Sequence, residues 1–361
     1  METFFVKFNA GSLDLSALVT TANHCRMFKV ELVTEERNPI VLSRSLKGDW
    51  VVVEPGERTL SDKDFQELER AIDDFLYKFY SAKHIMVLTD FSVAAENAVS
   101  YAALLSRQLR STKLVLYHSY ESILMPVSTG FAPVGPGFTE SAEVSHEKMQ
   151  SLKEMLTQQV LPTTKVESRT DDRTLVPAVN MLVQQLRTGL VVVGMTGKSM
   201  LERVIIGSHA LDLAENCLAP LLIVPAAAAS FQKIERVVFA CDLKEVLKFT
   251  PVHAVRTFVN ALQASVLILN VDHRGGDFKP EEMEQLKALH ELWDDQQPEY
   301  HYISHEDVAE GIMEFAEKQA AQLVITIPRV YGFLEGFFHQ RVTNRLANRL
   351  RLPLMLFRAE L

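Results

Sequence analysis

The sequence has few cysteines, no long apolar run and no excess of basic residues. Its three cysteines, Cys25, Cys217 and Cys241, lie in or beside apolar stretches without the spacing of metal ligands, which indicates buried thiols rather than disulfides or zinc ligands. No segment has the roughly 18 consecutive apolar residues that a membrane-spanning helix requires. The net charge of −9 disfavours a nucleic-acid-binding protein, because such proteins use basic surfaces to displace the counterions of phosphate. We therefore expect a cytoplasmic protein without membrane or nucleic-acid partners.

The sequence also lacks a P-loop, although the segment GMTGKS at residues 194–199 contains the GKS triplet of that motif. A P-loop places four residues between its two glycines. Here only Met195 and Thr196 separate Gly194 from Gly197. A nucleotide site at this segment would therefore have to be of another kind.

Two halves of the chain carry the same series of apolar segments at matched spacing. Asp90 and His118 are 28 positions apart, and so are Asp242 and Asn270. The first series is HIMVLTDFS, KLVLYHSY, GLVVVGMTG and APLLIVP, and the second is RVVFACDLK, SVLILNVD, QLVITIPRV and LPLMLFR. These short segments alternate with amphipathic helical patterns, one of which starts after the candidate cap Ser92. This alternation predicts parallel sheets with helices on both faces.

Residues 1–82 do not follow the repeat. The segments FFVKF, MFKVELV, PIVLS and WVVVE predict a small antiparallel sheet. An apolar stripe at helical spacing predicts a helix that covers this sheet or leads straight into the first repeat, and its members are Phe65, Leu68, Ile72, Phe75 and Phe79. The predicted fold class is therefore α/β: two tandem doubly wound parallel-sheet domains, at residues 83–228 and 229–361, preceded by a small α+β domain at residues 1–82.

Two features of the first repeat are expected at the carboxyl edge of its sheet, where such folds bind ligands. Gly194 ends a strand and the pair Gly207-Ser208 opens a helix, so backbone amides there can approach a phosphate. The alternative is a tight strand exit followed by a helix cap. Asp90 ends the first strand, where its carboxylate can accept hydrogen bonds from a ribose or an adenine edge. The alternative is an aspartate that caps a helix.

Together these residues make the first repeat similar to a universal stress protein domain, from HIMVLTDFS to PLLIV. The pattern Gly194-x2-Gly197-x9-Gly207-Ser208 resembles the signature of the ATP-binding members. The resemblance implies that Asp90 faces the ribose and adenine of ATP, bound with or without Mg²⁺, and that Ser119 lies near the adenine. It implies a phosphate-binding set made of Gly194, Gly197, Lys198, Ser199, Gly207 and Ser208. On this basis Gly194→Val is expected to weaken ATP binding without unfolding the protein.

The second repeat departs from this signature. The four positions that hold glycine or serine in the first repeat are occupied by Ile327, Val330, Gln340 and Arg341. Their side chains stand where backbone would have to approach a phosphate, so we expect one ATP per chain. The resemblance also implies that the segments PLLIV and PLMLF pair, which would make the two repeats an intrachain pseudo-dimer. A homodimer of whole chains remains open.

The predicted function is that of an ATP-binding universal stress protein that regulates a protein partner. Nucleotide occupancy would order the loop after Gly194 and the Pro-, Gly- and Ser-rich insert at residues 126–141, which is either a lid or a solvated loop. The alternatives are a nucleotide-independent scaffold and a slow ATP hydrolase. No catalytic or metal-binding residue can be assigned, and the HIGH-like and SGG-type motifs of adenylyl-transferring enzymes are absent. Any turnover is expected to stay below about 1 s⁻¹.

Overall fold

A computed structural model describes residues 3–22, 26–33, 38–45, 48–56, 60–119, 124–127, 130–133, 142–195, 206–226, 228, 231–272, 280–327 and 351–358. Within these residues the chain forms an N-terminal antiparallel sheet with one helix, followed by a long mixed sheet with helices on both faces. No helix in the described part of the chain is both long and apolar enough to cross a membrane.

The N-terminal unit is a five-stranded antiparallel sheet with a helix packed against it. Its strands, in both chain and sheet order, are β1 (Thr3–Ala10), β2 (Leu13–Ala22), β3 (Met27–Leu32), β4 (Ile40–Arg44) and β5 (Trp50–Glu54). The helix α1 (Asp62–Tyr80) begins with a capping box in which Ser61 and Asp64 each bond the other's backbone N–H. Alternate residues of β1 are buried, and the ring of Phe4 stacks on that of Phe75 at 3.9 Å. The predicted small antiparallel sheet is confirmed.

The middle of the chain contributes five strands to the long sheet and a separate hairpin. The sheet strands are β6 (His84–Leu88), β7 (Lys113–Ser119), β10 (Lys165–Asp171), β11 (Leu190–Met195) and β12 (Leu221–Pro225), and the hairpin strands are β8 (Leu124–Val127) and β9 (Gly130–Pro133). The helices are α2 (Val93–Gln108), α3 (Ala142–Gln159), α4 (Leu175–Leu186) and α5 (Ile206–Asn216). Part of the predicted 126–141 insert therefore lies in this hairpin, and its remaining residues lie outside the described part.

The last third of the chain adds the other five strands. They are β13 (Arg236–Ala240), β14 (Ser265–Asp272), β15 (Glu299–Ser304), β16 (Leu323–Thr326) and β17 (Leu354–Leu356). The helices are α6 (Val246–Phe249), α7 (Val252–Leu262), α8 (Pro280–Trp293) and α9 (Val308–Lys318), with a 3₁₀ turn at Asp294–Gln296. Buried residues of α2, α3, α7 and α8 share one core, and those of α4, α5 and α9 share another. The sheet is thus covered on both faces, as the nearly continuous apolar strands require.

The strand order of the long sheet is β10-β7-β6-β11-β12-β17-β16-β13-β14-β15. The first five strands, read inward from β10, and the last five, read inward from β15, have the same order. If the strands of each set are numbered along the chain, this order is 3-2-1-4-5 in both sets. All neighbours are parallel except β12 and β17, which run antiparallel with Leu221 opposite Leu356 and Leu222 opposite Met355. The expected pairing of the PLLIV and PLMLF segments is therefore present in this structure.

A side-chain amide reinforces this junction between the two sets of strands. Gln108, the last residue of α2, donates from Nε2 to the carbonyl oxygens of Ile234 at 2.8 Å and Leu262 at 2.9 Å. Its Oε1 accepts the N–H of Ile234 at 2.9 Å. Since Ile234 precedes β13 and Leu262 ends α7, one side chain of the first set holds two backbone segments of the second.

A charged cluster attaches the N-terminal unit to α7. Arg44 Nη2 lies 3.0 Å from Asp73 Oδ1, and Arg44 Nη1 lies 3.1 Å from His253 Nδ1. Trp50 Nε1 donates to Asp73 Oδ2 at 3.1 Å. Burial, with the nearby positive charges of Arg44 and Arg256, lowers the pKa of His253 to about 3. The imidazole is therefore neutral at physiological pH and can accept a hydrogen bond from the guanidinium.

Of the two cysteines that the structure describes, Cys217 fits the predicted buried thiol and Cys241 fits it only in part. Cys217 is buried and Cys241 is partly buried, and both are free thiols. Burial raises the pKa of the Cys217 thiol to about 11, so this side chain is protonated. Cys25 lies outside the described residues.

Candidate functional site at the carboxyl edge of the first five strands

The parallel strands β6, β7, β10 and β11 end at one edge of the sheet, which brings together residues that are far apart in sequence. Asp90 follows β6, Ser119 ends β7, Asp171 ends β10 and Met195 ends β11. This edge is where the sequence predicts a nucleotide.

The Asp90 turn, residues 89–92, is a tight turn held by side chains. The N–H of Ser92 donates to Asp90 Oδ1 at 3.0 Å, and the N–H of Phe91 donates to Thr89 Oγ1 at 3.0 Å. Phe91 has a φ of 62°, which L residues seldom adopt. The helix cap of α2 is Ser92, whose side chain accepts the N–H of Ala95 at 3.2 Å. Asp90 is therefore not the cap, and its carboxylate is exposed.

The same turn recurs after the first strand of the second set. The N–H of Lys244 donates to Asp242 Oδ1 at 3.2 Å, and Leu243 has a φ of 51°. An aspartate that accepts the N–H two residues ahead is thus a common feature of both sets of strands.

Gly194 has a structural role that the sequence did not predict. A Cβ on this buried residue would lie 2.3 Å from the carbonyl oxygen of Ala94 and 2.9 Å from the nitrogen of Ala95. The missing side chain therefore allows the first turn of α2 to approach β11. Because those contacts are to backbone atoms, Gly194→Val is now expected to destabilise the fold as well as to weaken binding.

Ser119 and the end of β10 form a second group of polar contacts. Ser119 Oγ donates to the carbonyl oxygen of Arg173 at 2.7 Å, so its hydroxyl hydrogen is already used within the protein. Arg173 also binds the largely buried carboxylate of Asp171. Hydrogen bonds from the Arg173 side chain hold the pKa of Asp171 below its usual value. Burial, assisted by Asp171, raises the pKa of Tyr117 to about 12. No motif or spacing in the sequence singles out Asp171 or Arg173.

The rest of the predicted phosphate-binding set is described only in part. Gly207 and Ser208 lie in the first turn of α5, which begins at Ile206, one residue before the predicted start. Gly197, Lys198 and Ser199 lie outside the described residues, as do Val330, Gln340 and Arg341 of the second repeat. Among the residues that are described, no group of three or more His, Cys, Asp or Glu side chains is arranged to hold a metal ion.

Comparisons with known proteins agree with this architecture. The model of the universal stress protein family matches residues 81–225. A search of curated proteins found no match. Among solved structures, a universal stress protein from Archaeoglobus fulgidus DSM 4304 is similar with a TM-score of 0.54 and 15% identity, covering 78% of this chain and 98% of that one.

Two further structures are similar at lower TM-scores. A putative universal stress protein from Pseudomonas aeruginosa UCBPP-PA14 has a TM-score of 0.48 and 12% identity, covering 78% of this chain and 95% of that one. A universal stress protein in complex with cAMP has a TM-score of 0.29 and 21% identity, covering 39% and 94%. Residues 81–225, which contain strands β6 to β12, are therefore similar in sequence to the universal stress protein family.

Proposed function

We propose that this protein is a stress-response protein that binds ATP in its first repeat, at residues 83–228, and uses the bound nucleotide to regulate a protein partner. The second repeat, at residues 229–361, is proposed as a degenerate universal stress domain that serves as the structural partner of the first. Residues 1–82 form a separate N-terminal unit in this proposal.

The tandem arrangement is supported by features that recur in both sets of strands. Each set has the same strand order, and the two meet at the antiparallel contact of β12 with β17. Each also carries the same aspartate turn, at Asp90 and at Asp242. The likeness to the Archaeoglobus fulgidus protein extends over 78% of the chain, more than the first repeat alone.

The observation that carries the nucleotide proposal is the exposed carboxylate of Asp90. The Asp90 turn holds this carboxylate at the end of β6, at the same sheet edge where β11 ends. Gly207 and Ser208 lie in the first turn of α5, the helix that follows β11. A fixed carboxylate can accept two hydroxyl groups of a ribose, and a helix N-terminus offers free N–H groups and a favourable dipole to phosphate.

In the proposed complex Asp90 binds the ribose and Ser119 lies near the base. Since the hydroxyl hydrogen of Ser119 is donated to Arg173, Ser119 would act as a hydrogen-bond acceptor. The phosphates would be held by Gly197, Lys198, Ser199, Gly207 and Ser208. Gly194 would act indirectly, by letting α2 close against β11. No residue is proposed to be catalytic.

Matched substitutions at the two aspartates test the proposal. Asp90→Asn keeps an oxygen for the Ser92 N–H, so the turn is retained, but removes the negative charge. We expect it to weaken ATP binding by about 10-fold or more, the effect of losing charge-assisted hydrogen bonds. The matched variant Asp242→Asn should leave the affinity unchanged. Calorimetric titration of both folded variants against the unmodified chain measures this.

Equal affinities for the unmodified chain and Asp90→Asn would remove Asp90 from the site. A folded, unmodified chain that binds no adenine nucleotide would contradict the proposed function and favour the nucleotide-independent scaffold.

A further inference from the structure

His118 is a buried residue at the end of β7, and it connects the Asp90 turn to a helix. Its Nδ1 lies 2.8 Å from the carbonyl oxygen of Thr89. Because a carbonyl oxygen only accepts, Nδ1 must carry the hydrogen of this bond. Nε2 lies 3.4 Å from the hydroxyl of Ser145 in α3.

The partner of His118 is the residue immediately before Asp90. Thr89 uses its carbonyl oxygen for His118 and its hydroxyl oxygen for the N–H of Phe91. The Phe91 ring lies 4.5 Å from the His118 ring, between centroids. Lys148 Nζ of α3 lies 5.1 Å from the centroid of the Phe91 ring. The residues on either side of Asp90 are therefore held in place: Thr89 by His118, and Phe91 by His118 and by Lys148 of α3.

The second set of strands contains a natural comparison. Asn270 occupies the position of His118, and its Nδ2 donates to the carbonyl oxygen of Cys241 at 2.8 Å. Cys241 precedes Asp242 as Thr89 precedes Asp90, and both hydrogen bonds join residues 29 positions apart. Histidine and asparagine differ in size and shape, but each supplies an N–H donor to the carbonyl oxygen before the aspartate. That hydrogen bond is therefore the feature that both turns share.

We propose that His118 is a positioning residue for nucleotide binding: its hydrogen bond to the Thr89 carbonyl fixes the turn that presents the Asp90 carboxylate. This inference rests on the proposed function. The hydrogen bond sets the direction of the peptide before Asp90, and Phe91 must then hold its left-handed backbone. Without the bond the turn can relax toward commoner backbone angles, and the carboxylate then has no fixed place.

The test compares three variants of the full chain. His118→Phe keeps a ring against Phe91 and removes both nitrogens. His118→Asn supplies the donor that Asn270 supplies in the second set. Asn270→Leu removes the equivalent hydrogen bond where no nucleotide is proposed to bind. Two readouts are used: the dissociation constant for ATP and the hydrogen-exchange rate of the Ser92 amide, which bonds Asp90.

His118→Phe should weaken ATP binding by about 10-fold, the effect of one lost hydrogen bond, and should speed exchange of the Ser92 amide. His118→Asn should restore both quantities to within about 3-fold of the unmodified chain. Asn270→Leu should change neither. If His118→Phe does not fold, His118→Leu takes its place.

An unchanged Ser92 exchange rate in His118→Phe would overturn the inference, and so would equal damage by His118→Asn and His118→Phe. If no chain binds ATP but Ser92 exchange rises in His118→Phe and not in His118→Asn, the nucleotide function fails while the positioning of the Asp90 turn by His118 stands.

Discussion

Gly194→Ala should lower the free energy of unfolding by about 3 kcal/mol or more. The added Cβ would lie 2.3 Å from the carbonyl oxygen and 2.6 Å from the carbonyl carbon of Ala94. These are backbone atoms in the first turn of α2, so the contact cannot be relieved by a side-chain rotation. Either α2 must move away from β11 or the strand must shift within a buried sheet, and both responses cost packing. Equilibrium unfolding in urea measures the effect.

Gly11→Ala is the control for this substitution. A Cβ at Gly11 meets no atom within 4 Å, but the residue has a φ of 62°. Its replacement should therefore cost only about 1 kcal/mol of backbone strain. Equal losses at Gly11 and Gly194 would show that α2 does not press on β11 as the structure indicates.

Gln108→Leu should lower the free energy of unfolding by about 2 to 3 kcal/mol. The substitution removes the side-chain amide, whose oxygen accepts one hydrogen bond and whose nitrogen donates two. The N–H and carbonyl of Ile234 and the carbonyl of Leu262 then lose their partner. Gln108 is partly buried, so water can replace some of these hydrogen bonds. The loss of stability should therefore be smaller than the cost of leaving three fully buried polar groups unpaired. Equilibrium unfolding in urea would measure this loss of stability.

The control for Gln108 is Gln150→Leu on α3. Gln150 is exposed and its amide bonds only the neighbouring Glu154 among the described residues, so the cost should be within about 0.5 kcal/mol. If the two variants are equally stable, the amide of Gln108 does not hold the two sets of strands together.

Much of the long sheet could be predicted because its central strands are apolar almost throughout. The eight segments of the two apolar series each contain a strand of the structure. β10 and β15 were missed, because they lie at the two ends of the sheet and pair on one side only. No residue of Lys165–Asp171 or Glu299–Ser304 is fully buried, so neither carries the apolar run that marks a central strand. β2 was also missed, because apolar Leu18 lies between its buried residues and polar Thr21 is itself buried, so the strand lacks a clean apolar–polar alternation.

Parts of the candidate site could be predicted where a sequence pattern has only one structural explanation. A serine before an apolar helical stripe indicates a cap, and Ser92 is that cap. Gly194 was ambiguous, because a phosphate and a closely packed helix both require a missing Cβ. The contacts of Asp171, Arg173 and His118 depend on which strands lie side by side. Sequence spacing within one element carries no such information.

Titration of the full chain with ATP tests the central claim most directly. If Asp90 and the start of α5 bind the nucleotide while the second repeat is degenerate, calorimetry should show saturation at one ATP per chain. Two equivalent sites would mean that the second repeat binds as well, despite Ile327 and Arg341 at the signature positions. No binding by a folded chain would contradict the claim that the first repeat is a nucleotide site.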